Sequence, residues 1–196
     1  VAAVDRDKDG YPEGPGLMEQ SGMGPERISS ACYLYAAYES LGEMARTLGE
    51  SGVPEYRRRA AEFKKNFNHN WWNEEEQMWA CSLRDDESQT MDDFWAVCFP
   101  QEVDLATDDK AKIALARIEN EWVNDQWGFV AQRRATIADA GVGVVHNNIL
   151  AQIAFRYGKA DLGWKLIKLS AKAPLEARML GAFDETGRMV GFTYSI

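Results

Sequence analysis

Residues 5–24, DRDKDGYPEGPGLMEQSGMG, decide how this chain is organised, because they lead directly into its most apolar helical pattern. Five glycines and two prolines stand among the carboxylates, a composition that excludes a regular helix or a central strand. Over residues 27–48 the apolar side chains fall on two helical stripes, and Glu39, Glu43 and Arg46 form a narrow polar strip. The sequence therefore predicts an acidic loop held over the N-terminal end of a helix that is buried on most sides.

An apolar helical pattern followed by an amphipathic one occurs three times along the chain. The three pairs are 27–48 with 54–70, 89–99 with 108–123, and 143–157 with 160–173. The connections between pairs are long and rich in aromatic and charged residues, as functional loops are. The first of them, 71–83, predicts a short β-hairpin. We therefore expect an all-α protein of helical hairpins, with an inner ring of buried helices and an outer ring of amphipathic ones, in a single domain over residues 1–196.

The charge balance excludes several classes of partner. Twenty-two Lys and Arg residues stand against 31 Asp and Glu residues, a net charge of −9. Nucleic acid and anionic membrane surfaces would be repelled over most of the protein, and no apolar run has the length of a membrane span. Three widely spaced cysteines, Cys32, Cys81 and Cys98, favour reduced structural thiols over disulfides or a zinc site, and a cytoplasmic location is favoured.

Several motifs in the same order resemble the six-hairpin (α/α) toroid glycosidases. They are DxDxDGYPEGxGxME and GMGxERI at the start, FNHNWWNEEEQMWA at 67–80, GVGVVHNNILAQIAFRYGKAD at 141–161 and GAFDE at 181–185. The chain is most similar to the bacterial glycogen-debranching, amylo-α-1,6-glucosidase type of catalytic domain. A full toroid has six hairpins and three are found here, so the resemblance implies about half of a barrel. If the half toroid is the whole chain, we expect a homo-oligomer that covers its apolar flanks.

The resemblance implies a pair of catalytic carboxyl groups on loops before inner helices. Hydrolysis of a glycosidic bond needs one carboxylic acid to protonate the leaving oxygen and a second carboxylate to activate water or to attack. Glu13 in YPEG is the candidate acid, with Glu19 in GLME as the next candidate, and Glu185 in GAFDE is the candidate base. The structural alternatives are that Glu13 stabilises a turn or the helix start and that Glu185 is a solvated loop residue.

Aromatic residues in or beside the long loops are candidates for sugar binding. Sugar rings present apolar C–H faces that stack on aromatic side chains. The candidates are Tyr11, Trp71, Trp72 and Trp127.

Three polar residues at the starts of inner helices are further candidates. His146 and Asn147 could contact sugar hydroxyls, although helix capping or a satisfied core histidine explains them equally well. Arg27 is placed to hold a carboxylate of the preceding loop, and it is also a candidate for substrate binding.

Asp5, Asp7 and Asp9, followed by Gly10, match the opening of a calcium-binding loop, in which alternate carboxylates converge on one hard cation. The closing bidentate acid of such a loop falls at its twelfth position, which is Gly16 and has no side-chain ligand. A solvated turn, or one stabilised by bonds from side chain to backbone, is therefore the favoured interpretation, with Ca²⁺ as the alternative.

We therefore expect a glycoside hydrolase, or a truncated relative of one, that cleaves α-glucosidic bonds with two carboxyl groups and no obligatory cofactor. Its partner would be an oligosaccharide or a glucoside. The alternative from another class is a non-catalytic carbohydrate-binding or self-assembling half-toroid module. A sugar epimerase or isomerase on a similar helical barrel is less favoured, because the sequence offers no dedicated set of base and histidines.

Overall fold

A computed structural model describes residues 5–14, 23–91, 95–125, 128–129, 142–177, 182–183 and 189–191. The chain divides into two compact units, one of Val1–Asp92 with Phe99–Lys110, the other of Asp93–Cys98 with Ala111–Ile196. The helices are α1 (Ile28–Leu48), α2 (Val53–Asn70), α3 (Phe99–Glu102), α4 (Asp108–Trp122), α5 (Val144–Arg156) and α6 (Ala160–Ala177). The strands are β1 (Glu26–Arg27), β2 (Trp72–Asn73), β3 (Met78–Trp79), β4 (Ser82–Leu83), β5 (Gln89–Thr90), β6 (Val123–Asn124), β7 (Gly128–Phe129), β8 (Val142–Gly143), β9 (Ala182–Phe183) and β10 (Met189–Gly191).

The first unit is built around the packed pair α1 and α2. Helix α1 ends at Gly49, whose φ of 71° lies in the left-handed region that closes helices without a Cβ penalty. Helix α2 carries a proline in its first turn, where the missing N–H costs no hydrogen bond. The bounds predicted for both helices are confirmed to within one residue.

Small antiparallel sheets hold the N-terminal end of α1. Strand β1 pairs with β4, with Glu26 opposite Leu83, and β4 pairs with β5. A separate hairpin of β2 and β3 places Trp72 opposite Trp79. The predicted β-hairpin near 71–83 is thus confirmed over residues 72–79, and residues 82–83 belong to the sheet that includes β1.

The predicted apolar helix over 89–99 is wrong. Residues Gln89–Thr90 form strand β5, Trp95–Cys98 form a 3-10 turn, and α3 begins at Phe99. Proline fits the first turn of a helix, where its missing N–H costs no hydrogen bond, and Pro100 lies in the first turn of α3. The residues from Ala96 to Cys98 are buried, although they do not form a regular α-helix. An apolar run indicates burial, but it does not by itself show that the residues are helical.

The second unit contains the helical hairpin of α5 and α6. Gly158, with φ of 78°, follows α5, and the two helices meet through an edge-to-face contact of Phe155 and Trp164 with ring centroids 5.6 Å apart. Strands β8, β9 and β10 form an antiparallel sheet, and β6 pairs with β7. The amphipathic helix predicted at 108–123 and the hairpin predicted at 143–157 and 160–173 are confirmed.

Burial of α1 differs from the prediction. Its first turns contain buried residues, with Ile28, Ala31 and Cys32 at 0–1% exposure, but Met44 is 57% and Leu48 is 73% exposed. The expectation of a helix buried on most sides is therefore wrong for its C-terminal half. Within the described residues, no helix combines the length and hydropathy needed to cross a bilayer. The single-domain prediction for residues 1–196 stays a prediction.

Candidate active site

The loop of residues 5–14 brings its alternate aspartates together. The carboxylate oxygens of Asp5, Asp7 and Asp9 lie within 4.8 Å of one another. Asp7 accepts a hydrogen bond from the backbone N–H of Asp9 (3.3 Å), and Asp9 accepts one from the N–H of Tyr11 (2.8 Å). The loop therefore contains turns stabilised by bonds from side chain to backbone, as the sequence favoured, and it concentrates negative charge at one point.

Glu13 takes part in the structure of this loop. Its Oε2 accepts a hydrogen bond from the backbone N–H of Arg6 (2.8 Å), and its side chain is 10% exposed. Glu13 and Glu26 form an isolated antiparallel bridge, and the N–H of Gly14 donates to the carbonyl of Pro25 (2.9 Å). The acidic loop is thereby attached to the segment that enters α1. These contacts favour the alternative in which Glu13 stabilises the turn.

Glu26 is a residue that sequence reasoning missed. It is only 2% exposed, and its Oε2 is buried without a hydrogen-bond partner among the described residues. Burial raises the pKa of Glu26 to about 8, and the nearby charges of Asp9, Asp7, Glu13 and Asp5 add to the rise. Burial likewise raises the pKa of Asp9 to about 6. The spacing of residues in the sequence does not identify Glu26, because it approaches the loop only through the antiparallel bridge with Glu13.

Arg27 follows Glu26 and lies at the start of α1. Successive residues of a strand face opposite sides, so its side chain leaves β1 away from that of Glu26. The backbone N–H of Ile28 donates to the carbonyl of Cys81 (3.0 Å), which fixes this end of the helix. Nε and Nη1 of Arg27 are buried and have no hydrogen-bond partner among the described residues. Burying these two guanidinium nitrogens without a hydrogen-bond partner is costly, so the position favours an anionic partner.

The aromatic residues predicted to bind sugar form a protein core instead. Tyr11 is 1%, Trp71 0% and Trp72 5% exposed. The rings of Tyr11 and Trp71 meet edge to face at 5.5 Å, and Trp72 packs against Trp79 at 4.8 Å. Because all three are buried, a core role is favoured for Tyr11, Trp71 and Trp72, and the sugar-stacking interpretation stays a prediction. Aromatic residues beside a long loop serve equally to anchor it, and the sequence pattern does not separate the two uses.

The second unit uses Asn147 as a structural residue. Its side chain is 0% exposed, and its Oδ1 accepts a hydrogen bond from the backbone N–H of Phe129 (2.6 Å). This contact joins α5 to β7, and it favours the structural alternative for Asn147 over a sugar contact. His146 is partly buried, and burial lowers its pKa to about 4, so it is neutral near pH 7. Its ring lies edge to face with that of Phe129 at 6.5 Å.

Three of the predicted site residues, Glu19, Trp127 and Glu185, lie outside the described residues. A pocket of about 310 Å³ opens between the acidic loop and the α1–α2 pair, lined by Asp9, Tyr11, Tyr38, Arg59 and Phe63 among others. Glu13 is not among the residues that line this pocket.

Comparison with known proteins decides the family. Residues 4–139 match the family model described as the mannosylglycerate hydrolase MGH1-like glycoside hydrolase domain. The chain belongs to this glycoside hydrolase family. No curated protein sequence matches the chain.

Solved structures establish the fold class. The GH63 mannosylglycerate hydrolase from Thermus thermophilus in complex with glucose is 18% identical, with a TM-score of 0.69 over 85% of this chain and 44% of that chain. The neutral trehalase from Saccharomyces cerevisiae is 13% identical, with a TM-score of 0.68 over 86% of this chain and 35% of that chain. This member of the family therefore has the helical hairpins of an (α/α) toroid glycosidase, as predicted, and spans less than half the length of these relatives.

Proposed function

We propose that this chain forms part of the catalytic domain of a glycoside hydrolase that cleaves α-glycosidic bonds with a pair of carboxyl groups. The observation that carries the proposal is the match of residues 4–139 to a glycoside hydrolase family, in a chain with the toroid fold. The finer kinship, to the glycogen-debranching type of enzyme, rests on the motifs DxDxDGYPEG and GAFDE.

The acid is Glu19 in preference to Glu13, and the base is Glu185. Glu13 is engaged by the N–H of Arg6 and is nearly buried, which leaves little freedom for proton transfer to a sugar. Glu19 lies six residues further along the same glycine-rich stretch, before inner helix α1. Glu185 follows strand β9 in the GAFDE motif. Two carboxyl groups from distant segments are what acid–base hydrolysis of a glycoside requires.

Arg27 gives a reason to propose a substrate that carries a carboxylate. Its guanidinium is partly buried at the N-terminal end of α1, with Nε and Nη1 unpaired among the described residues. A guanidinium pairs with a carboxylate through two parallel hydrogen bonds. A Thermus thermophilus mannosylglycerate hydrolase was crystallised in complex with Tris and D-glycerate, and glycerate is a carboxylate. A hexose linked to glycerate is therefore the proposed substrate class, with neutral α-glucosides as the alternative.

Substitution of Arg27 tests the proposed substrate class. We expect Arg27→Met to lower kcat/KM for hexosyl glycerates about 10- to 100-fold, because one charge-assisted pair contributes about 1.5–3 kcal/mol. Hydrolysis of an uncharged aryl α-glucoside should change less than about threefold, since that substrate makes no such pair. Initial rates of the variant and the unaltered chain on both substrates give the comparison.

The same assay separates substrate recognition from a structural role. Arg27→Lys keeps the charge but loses the two-pronged geometry, so its effect on hexosyl glycerates should be intermediate. If Arg27 instead holds a carboxylate of the protein, Arg27→Met will lower both activities by the same factor. That result contradicts the assignment of an acidic substrate.

A self-assembling half toroid is the second candidate, and exposed apolar residues of α1 favour it. Leu41, Met44 and Leu48 follow helical spacing and are 40%, 57% and 73% exposed. On this alternative the chain sediments as a dimer, and Met44→Glu shifts it to monomer because a charge is buried at the interface. Lys65→Glu, at an exposed position of α2, is the control that leaves sedimentation unchanged. Turnover by a chain that stays monomeric at every concentration excludes this candidate.

A further inference from the structure

We propose that the pocket between the acidic loop and helices α1 and α2 is a binding site for one neutral sugar ring. All the described residues that line it belong to the first unit, and none of them is a proposed catalytic carboxyl group or Arg27. Its volume of about 310 Å³ is at the lower end of the range of small-molecule pockets, about 300–1,000 Å³. This size favours a single ring over a longer oligosaccharide.

The wall of the pocket is aromatic, and Phe63 lies at its centre. The ring of Phe63 meets the ring of Tyr11 edge to face at 5.3 Å and the ring of Tyr38 at 6.5 Å. Tyr11 and Phe63 are 1% and 7% exposed and form a fixed base, whereas Tyr38 is only partly buried and retains surface for a ligand. Sugar rings present apolar C–H faces that pack on aromatic side chains. The wall therefore offers the apolar contact that a sugar ring needs.

Polar side chains around this wall offer hydrogen bonds of both kinds. Lys8 and Asn66 line the pocket, are exposed, and make no hydrogen bond to another residue in the described ranges. An ammonium group offers three donors, and a side-chain amide offers two donors and an acceptor. Glu62 also lines the pocket, and although its Oε2 accepts a hydrogen bond from Arg58 (2.9 Å), its other oxygen can accept one from a ligand. A sugar hydroxyl group both donates and accepts, so it can use each of these groups.

The charges of the lining residues favour a neutral ligand over an anion. Lys8 and Arg59 stand against Asp9 and Glu62, so the formal charges cancel. Nε of Arg59 already donates to the carboxylate of Glu55 (2.7 Å) within α2. A small anion such as phosphate or glycerate would therefore meet one unpaired cation, Lys8, beside the carboxylates of the acidic loop.

Titration of the whole ¹⁵N-labelled chain with D-glucose, followed by ¹⁵N–¹H correlation NMR, tests the proposal. We expect saturable shifts of the backbone amides of residues 8–11 and of the side-chain amide of Asn66. The dissociation constant should be about 1–10 mM, because so small a ligand makes few contacts. D-Glucose contains no glycosidic bond, so the result does not depend on whether the chain is a hydrolase. If these signals show no saturable shift up to about 100 mM, tenfold above the weakest expected dissociation constant, the proposal is wrong.

Asn66→Ala and Lys65→Ala form a matched pair of variants for the polar contacts. Both positions are exposed on α2, but only Asn66 lines the pocket, and alanine is the best helix former. Asn66→Ala should weaken D-glucose binding about fivefold through the loss of neutral hydrogen bonds, and Lys65→Ala should change it less than about twofold. Equal effects of the two variants contradict the proposed site.

Variants of Tyr38 and a second ligand test the aromatic wall and the neutral character of the ligand. Tyr38→Ala should weaken D-glucose binding at least about fivefold, whereas Tyr38→Phe keeps the ring and should keep most of the affinity. Stronger binding to Tyr38→Ala than to Tyr38→Phe contradicts a role for the ring. If inorganic phosphate or D-glycerate shifts the signals of residues 8–11 at lower concentration than D-glucose does, the pocket is an anion site and the proposal is wrong.

Discussion

Glu19→Gln and Glu185→Gln are each expected to lower kcat about 100- to 10,000-fold on the best substrate of the enzyme. General acid and general base catalysis contribute factors of this size, and glutamine keeps the shape of glutamate while it can neither give up nor accept the proton. KM should change little, because the lost interaction is made in the transition state and not in the ground state. Steady-state kinetics on a hexosyl glycerate and on an aryl α-glucoside give both constants.

Glu13→Gln is the matched control for this pair. It changes a carboxylate of the same stretch whose oxygen accepts a hydrogen bond from the N–H of Arg6, and the amide oxygen of glutamine can accept the same bond. Its kcat should therefore fall less than about tenfold, far less than a catalytic acid contributes. If Glu13→Gln loses activity by the larger factor while Glu19→Gln stays active, the acid is Glu13.

The helices of this protein could be predicted from the sequence because local chemistry defines them. The periodic apolar residues of α1 end at Gly49, and those of α2 begin beside Pro54, so both boundaries follow from backbone preferences of glycine and proline. The pattern over 89–99 contains equally apolar residues but no such boundaries inside it. The strand, 3-10 turn and short helix in this segment are determined by packing against other elements. The spacing of apolar residues along the sequence does not contain that information.

The candidate site could be predicted only in part, because some of its acidic residues are close together only where the chain turns back on itself. The alternation of Asp5, Asp7 and Asp9 marks an acidic cluster, and the structure brings their oxygens together. Glu26 is bridged to Glu13 of the same loop, a pairing for which the sequence has no periodic signature. Burial of Trp71 depends on neighbours from several elements, so residue type alone could not separate a sugar platform from a core residue.

Gly24→Ala is expected to destabilise the protein by about 3 kcal/mol or more, because the approach of this residue to β4 leaves no room for a side chain. A Cβ at Gly24 would lie 1.8 Å from the carbonyl oxygen of Leu83. That carbonyl cannot move away cheaply, since Leu83 is 2% exposed and opposite Glu26 in the sheet. The N–H of Gly24 also donates to the buried Oγ of Ser82 (2.9 Å). At about 2–4 °C per kcal/mol, the melting temperature should fall by roughly 6–12 °C.

Gly42→Ala is the matched control, because Gly42 is also buried but has space. A Cβ there would meet the Cβ of Tyr56 at 3.6 Å, an ordinary contact, within helix α1 where alanine is favoured over glycine by about 1 kcal/mol. This variant should melt at the same temperature as the unaltered chain or slightly higher. If Gly24→Ala and Gly42→Ala have the same melting temperature, the segment before α1 does not pack against β4. That result would also argue against the bridge between Glu13 and Glu26, because this bridge and the pairing of Glu26 with Leu83 depend on the same course of the chain across the sheet.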